Sequence, residues 1–215
     1  MEPEGNGGGA RHYNRPIDVL CVCTANMCRS PLLEVFLDAA LRGRGVDAVV
    51  HSAGTLAEGG PAVPEVVDVA LDRGYDLRAH TARRLDRDLI RGADLVLPLA
   101  REHLREVVVA VPEAFARTFT PKELVRRAGA TGGRRPDEAL GAFLARLHEG
   151  RRHQELLRND PVDDVLDPIG GPRSGYVRAA TELESLAFSL AELLDPSAAV
   201  PTPATTPAAS PFQET

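Results

Sequence analysis

A buried strand, an eight-residue loop and a helix follow one another between Ile17 and Gly43, and this unit does most to restrict the fold. Ile17-Asp18-Val19-Leu20-Cys21-Val22 is rich in branched apolar residues and reads as a first strand. Leu32 to Arg42 reads as a helix, with Pro31 at its first turn and Gly43 past its end. Further strand-like runs follow at Val46–His51, Asp94–Leu97 and Ala116–Phe119. Helical patterns lie between them at Glu65–Arg73, closed by Gly74, and at Arg101–Val109. Tyr176, Ala180, Leu183, Ala187, Leu190 and Leu194 form one apolar stripe at helical spacing and mark a last, long helix. Strands alternating with helices predict a single α/β domain: an open, twisted parallel sheet of about four strands flanked by helices.

The segment from Pro121 to Asp160 departs from this alternation. It reads as a helix (Lys122–Ala128), a Gly- and Arg-rich break (Gly129–Pro136) and a second helix (Asp137–His148), hence a helical insertion at about 121–160. Its arginines (126, 127, 134, 135, 146, 151, 152 and 158) suit either a solvated helical face or a basic rim that attracts a phosphorylated partner. The domain is expected to span 16–194. Residues 1–15, with four Gly, and residues 195–215, with five Pro, five Ala and four Thr, read as disordered tails.

Composition excludes several classes. The 43% of hydrophobic and 26% of charged residues are ordinary for a globular protein. No apolar run approaches the ~18 residues that span a bilayer, and the N-terminus has no apolar signal-peptide core. Twenty-five basic residues against 31 acidic ones give a net charge of −6, which argues against a general nucleic-acid binder. Neither nucleic acid nor membrane is an expected partner, and a cytoplasmic location is expected. The three cysteines, Cys21, Cys23 and Cys28, fall within eight residues and cannot staple distant parts of a fold. As zinc ligands they lack a paired knuckle and a fourth partner. They suit a reactive cluster in a reducing compartment.

The loop Cys23-Thr24-Ala25-Asn26-Met27-Cys28-Arg29-Ser30 joins the strand end to the helix start. Such a loop aims backbone N–H groups at one spot, and the helix dipole adds positive character there. Arg29 adds a fork of donors suited to a tetrahedral oxyanion. Cys23 sits at the strand's C-terminal edge, where open α/β sheets bind ligands. Surroundings of this kind stabilise a thiolate, a nucleophile here aimed at phosphorus.

The stretch VLCVCTANMCRSP resembles the signature of the low-molecular-weight protein tyrosine phosphatases, bacterial members included. Three further blocks agree in order: His51-Ser52-Ala53-Gly54-Thr55, His80-Thr81-Ala82-Arg83-Arg84-Leu85, and Asp167-Pro168 shortly before the last helix. The resemblance implies a phosphomonoester hydrolase, most directly a protein-tyrosine-phosphate phosphatase, with a phosphocysteine intermediate and no metal or cofactor. It makes Cys23 the nucleophile, Arg29 the clamp on the transferring phosphoryl group, and Asp167 the proton donor and later the base. Thr24, Ala25, Asn26, Met27, Cys28 and Ser30 would form the phosphate loop, with Asn26, Ser30, Ser52 and His80 in its supporting network. It also places Cys28 close enough to Cys23 for a protective disulfide. The implied partner is a phosphorylated protein, with phosphotyrosine the family's default. Asp160, Asp163 and Asp164 compete with Asp167 on residue type alone.

The chain departs from the family in places. Ala25 stands where a Gly is usual; if that position needs a left-handed backbone, Ala costs about 1 kcal/mol and activity falls. Ile169 follows Asp-Pro where an aromatic is common, and there is no Trp. Met27 is bulky and apolar, which is closer to tyrosine-directed members than to those acting on phosphoarginine. Two other readings remain open. Arsenate reduction could use the same anion cradle, although no Cys follows Cys28 to relay electrons. A non-catalytic phosphopeptide-binding module would explain the missing aromatics but would have no need of Asp167.

Overall fold

The computed structural model describes residues 15–157 and 161–198. The readings made of residues 1–14, 158–160 and 199–215 lie outside these, including Arg158 and Asp160. Three parallel strands form the sheet: β1 (Ile17–Cys23), β2 (Ala48–Gly54) and β3 (Leu95–Pro98). Their order is β2-β1-β3, with Cys23 level with Gly54 and Val22 level with Pro98. β1 is therefore central, and the chain leaves it at the point where the strand order reverses, the place where such sheets bind ligands.

Helices cover both faces. Those used below are α1 (Arg29–Gly43), α2 (Pro64–Leu71), α3 (Arg87–Gly92), α4 (Arg101–Ala110), α5 (Pro121–Thr131), α6 (Leu140–His148) and α7 (Arg173–Leu194). Side chains alternate across β1. Val19, Cys21 and Cys23 join Leu33, Phe36 and Leu37 of α1 and Leu183 and Leu190 of α7 in one core. Leu20 and Val22 join Ile90 of α3 and Val107 of α4 in another. Burial on both faces explains why β1 carries apolar residues at successive positions from Val19 to Val22.

Three elements differ from the sequence reading. The fourth strand, Ala116–Phe119, does not form. Pro112 opens a 3₁₀ helix that runs to Arg117, and Pro121 starts α5 with Thr120 as its cap. The few residues between suffice for one parallel bridge, Thr118 to Val96, and one hydrogen bond from Phe119 N to Val96 O. The six-residue α3 was not foreseen; Asp86 caps it by accepting from Asp88 N and Leu89 N. The second insertion helix begins at Leu140 rather than Asp137.

Four of the insertion's arginines, 127, 134, 146 and 151, are internal staples rather than parts of a free basic rim. Arg151 is buried, stacks on Phe115 and Phe119, and pairs with Glu123. Arg127 holds Glu123 and the carbonyls of Leu147 and Glu149. Arg146 holds Glu138 and carbonyls from Thr131 to Gly133. Arg134 binds the carbonyls of Glu138 and Leu194, tying the insertion to the end of α7. None of the helices among the described residues is long and apolar enough to cross a membrane.

Candidate active site

The loop after β1 wraps around the sulfur of Cys23. Cys23 Sγ receives a hydrogen bond from Asn26 N (3.3 Å) and lies 3.0 Å from Ser30 Oγ. Ser30 Oγ accepts from Asn26 Nδ2 at 2.9 Å, so its own hydrogen is free to point at the sulfur. α1 starts next to this point. Its first turn carries no acidic side chain, so the helix N-terminus offers uncompensated positive character to the pocket.

Asn26 holds the loop in shape. It is the one non-glycine among the described residues with a left-handed backbone, φ 56°. Asn tolerates that region better than most residues, and every polar group of its buried side chain is engaged. Its Nδ2 donates to Ser30 Oγ and, at 2.7 Å, to Ser52 Oγ. Its Oδ1 accepts from Arg83 N at 2.9 Å. Its carbonyl lies 2.7 Å from His80 Nε2, and Ser52 Oγ donates in turn to Glu34 on α1. The structure thus brings Asn26, Ser30, Ser52 and His80 together. Arg83 and Glu34 belong to the same network. Arg83 stood inside the quoted His80–Leu85 block without a role, and Glu34 carried no signal in the sequence.

Ala25 is not left-handed, so the strain considered for it does not arise; the strained position is its neighbour Asn26. Glycine is instead required at Gly54. A Cβ there would lie 2.6 Å from Thr24 O and 2.8 Å from both Ala25 C and Asn26 N. These are backbone atoms and cannot swing aside. Gly54→Ala is expected to cost about 1–3 kcal/mol of stability and to displace the loop. Thermal denaturation together with kcat/KM checks this, and a fully active, equally stable variant would contradict it.

Arg29 is almost fully buried. It donates to Val165 O at 3.2 Å, to Thr24 Oγ1 at 3.4 Å and to Asp167 at 2.5 Å. Asp167 keeps two-fifths of its side chain exposed, and its Oδ1 accepts from Ile169 N, which fixes the turn before α7. Two of the competing carboxylates are committed elsewhere. Asp163 is buried against Arg126, and Asp164 accepts from Arg101 N. Asp167 alone of these three shares a pocket with Cys23. That pocket, about 150 Å³, is lined by Cys23, Thr24, Ala25, Met27, Cys28, Arg29, Asp167 and Ile169.

The cysteines differ in character. All three are free. Burial above all, then neighbouring negative charge, pushes the Cys21 and Cys28 thiols well above the usual range, which favours their protonated forms. Among the described residues, hydrogen-bond donors gather at the sulfur of Cys23 and not at those of the other two.

The comparisons with known proteins agree with this geometry. A family model described as low molecular weight phosphotyrosine protein phosphatase matches residues 18–133. A protein-arginine-phosphatase of Bacillus subtilis (strain 168) is 29% identical over 179 residues, covering 83% of this chain and 97% of the relative. A low molecular weight protein-tyrosine-phosphatase of Escherichia coli (strain K12) is 38% identical over 102 residues, covering 47% and 66%. The crystal structure of the low molecular weight protein tyrosine phosphatase from T. tengcongensis superposes with a TM-score of 0.63. It is 34% identical, over 83% of this chain and 99% of that one.

Proposed function

The chain belongs to the low molecular weight phosphotyrosine protein phosphatase family, and from that premise we propose how its residues divide the work. The observation that carries the proposal is the position of Cys23 Sγ. It lies between the Asn26 amide and the Ser30 hydroxyl, in one pocket with Arg29 and Asp167. The sulfur attacks phosphorus in line and an S–P bond forms. The P–O bond to the leaving group breaks as Asp167 supplies its proton. Arg29 and the N–H groups of the loop hold the equatorial oxygens, where transition-state charge is spread. In the second step Asp167 takes a proton from water, which attacks phosphorus. The S–P bond then breaks, and the Ser30 and Asn26 donors stabilise the charge returning to sulfur.

The substrate we propose is a phosphorylated protein, with phosphotyrosine as the first reading. Met27 and Ile169 give the pocket two bulky apolar walls against which a ring can lie. A second reading, phosphoarginine, is favoured by one observation. The relative whose length this chain matches almost throughout is named an arginine phosphatase, whereas the tyrosine phosphatase from E. coli is matched over two-thirds of its length. A reducing setting, the cytoplasm, suits an enzyme that works only while Cys23 is a free thiol.

Hydrolysis of p-nitrophenyl phosphate with EDTA present tests the chemistry. Turnover is expected in the parent protein. Asp167→Ala is expected to lower kcat by about a hundredfold, with KM falling alongside it because the second step, left without its base, becomes rate-limiting. No turnover in a reduced, folded parent protein would overturn the reading and leave arsenate reduction or phosphopeptide binding to be examined. Competing phosphotyrosine and phosphoarginine peptides for the same enzyme then separates the two substrates by their kcat/KM ratio.

A further inference from the structure

Thr24 follows the nucleophile, and its hydroxyl sits between two basic side chains from different elements. Arg29 Nη2 donates to Thr24 Oγ1 at 3.4 Å. From the other side His103, in the first turn of α4, places its Nε2 2.9 Å from the same oxygen. His103 is completely buried, and its other ring nitrogen, Nδ1, has no hydrogen-bond partner among the described residues. Burial first, and the charge of Arg29 second, push its pKa down to about 3. The ring is therefore neutral near pH 7 and carries one proton on one nitrogen.

That proton has two possible seats. On Nδ1 it would be a buried donor without an acceptor, the rarer and costlier kind of orphan. On Nε2 it meets Thr24 Oγ1, and a carboxylate oxygen of Glu102 also lies 3.3 Å from that nitrogen. The second seat leaves only a lone pair unsatisfied. A hydroxyl has two lone pairs and one hydrogen. With Arg29 and His103 both donating to Thr24, the lone pairs are taken and the hydrogen is left over. Thr24 also lines the pocket shared by Cys23, Arg29 and Asp167.

We propose that Thr24 donates its hydroxyl hydrogen to a phosphate oxygen held by the Cys23 loop, and that His103 is the positioning residue that turns it there. The inference rests on the phosphatase reading of this pocket. It adds a side-chain donor to the backbone N–H groups and Arg29, and gives α4 a direct part in shaping the site. The arrangement was not legible in the sequence, where His103 is a lone histidine about 80 residues from the loop.

Kinetics on p-nitrophenyl phosphate and inhibition by orthovanadate, which mimics the five-coordinate transition state, test it together. Thr24→Val is expected to lose about tenfold in kcat/KM and a similar factor in vanadate affinity. Thr24→Ser, which restores the hydroxyl, is expected to recover most of both. His103→Gln can present an N–H in place of Nε2 and is expected to outperform His103→Leu in kcat at similar KM. A Thr24→Val enzyme within about twofold of the parent would overturn the proposal. So would a loss of kcat with unchanged vanadate affinity, which is the mark of a packing defect. Should the valine variant not fold, the ring nitrogens of His103 in the parent protein decide. Long-range ¹H–¹⁵N spectra are expected to show the proton on Nε2, and a proton on Nδ1 would overturn the proposal. Absence of turnover in the parent would count against the phosphatase reading instead; vanadate affinity and the tautomer would still decide the role of Thr24.

Discussion

Cys23→Ser is expected to lose turnover of phosphomonoesters by about a thousandfold or more while keeping the fold and the ability to bind phosphate. The neighbours of the sulfur explain the size of the effect. Asn26 N and Ser30 Oγ are placed as donors, an arrangement that can stabilise an anion but cannot take a proton from an alcohol. Among the described residues, no histidine or carboxylate is hydrogen-bonded to the sulfur to deprotonate an alcohol. A serine hydroxyl would therefore sit in a site built to stabilise an anion but without the base needed to make one. The anion cradle itself is untouched, so inorganic phosphate should still protect the variant against thermal unfolding. Steady-state kinetics and a thermal-shift titration with phosphate check the two halves separately. Activity within tenfold of the parent protein would mean that another group is the nucleophile.

Arg29→Lys is expected to lower kcat/KM by about a thousandfold, although it conserves charge. The guanidinium serves three partners at once: Val165 O, Thr24 Oγ1 and Asp167. A lysine ammonium is a point charge and cannot present the planar fork that grips two phosphate oxygens. It would also release Asp167 from its position and leave the buried Val165 carbonyl without its donor. If the fork acts on the transition state, as proposed, the loss appears in kcat and in vanadate affinity together. A change confined to KM would show that Arg29 only binds substrate.

The parts of this molecule that could be read from sequence are those determined by neighbours along the chain. The β1–loop–α1 unit was legible because a branched apolar run, Pro31 and Gly43 each act locally. The apolar stripe of α7 was legible for the same reason, and its residues are those buried against α1. What escaped depends on partners distant in sequence. Ala116–Phe119 has strand-like composition, but the two prolines that confine it to a single bridge act through helix starts on either side. Arg151 looked like one charge among many, because Glu123 and the carbonyls it satisfies lie about 30 residues upstream. Removing a partner of such a buried pair is costly, which is why these arginines read as structure and not as a basic rim.

The site shows the same division. Cys23, Arg29 and the loop between them were visible as a local pattern. The choice of Asp167 over Asp163 and Asp164 rested on resemblance, and only the fold shows that the other two are committed to Arg126 and Arg101 N. The strained residue was misplaced by one position: the expectation concerned Ala25, whereas the left-handed backbone belongs to Asn26. Asn tolerates a left-handed backbone better than most residues, but that local preference alone does not fix which residue of the eight-residue loop turns. The network that fixes it comes from β2, α1 and the segment around His80 and Arg83.

The central claim is that the phosphoryl group passes through Cys23. Rapid-quench mass spectrometry on Asp167→Asn with p-nitrophenyl phosphate tests this most directly. That substrate has a good leaving group, so the first step needs little help from an acid, while the second step still lacks its base. The account predicts that the peptide containing Cys23 carries a phosphoryl group within the first turnover, and that the adduct forms as fast as p-nitrophenol appears. Release of a full equivalent of p-nitrophenol with Cys23 unmodified would contradict it.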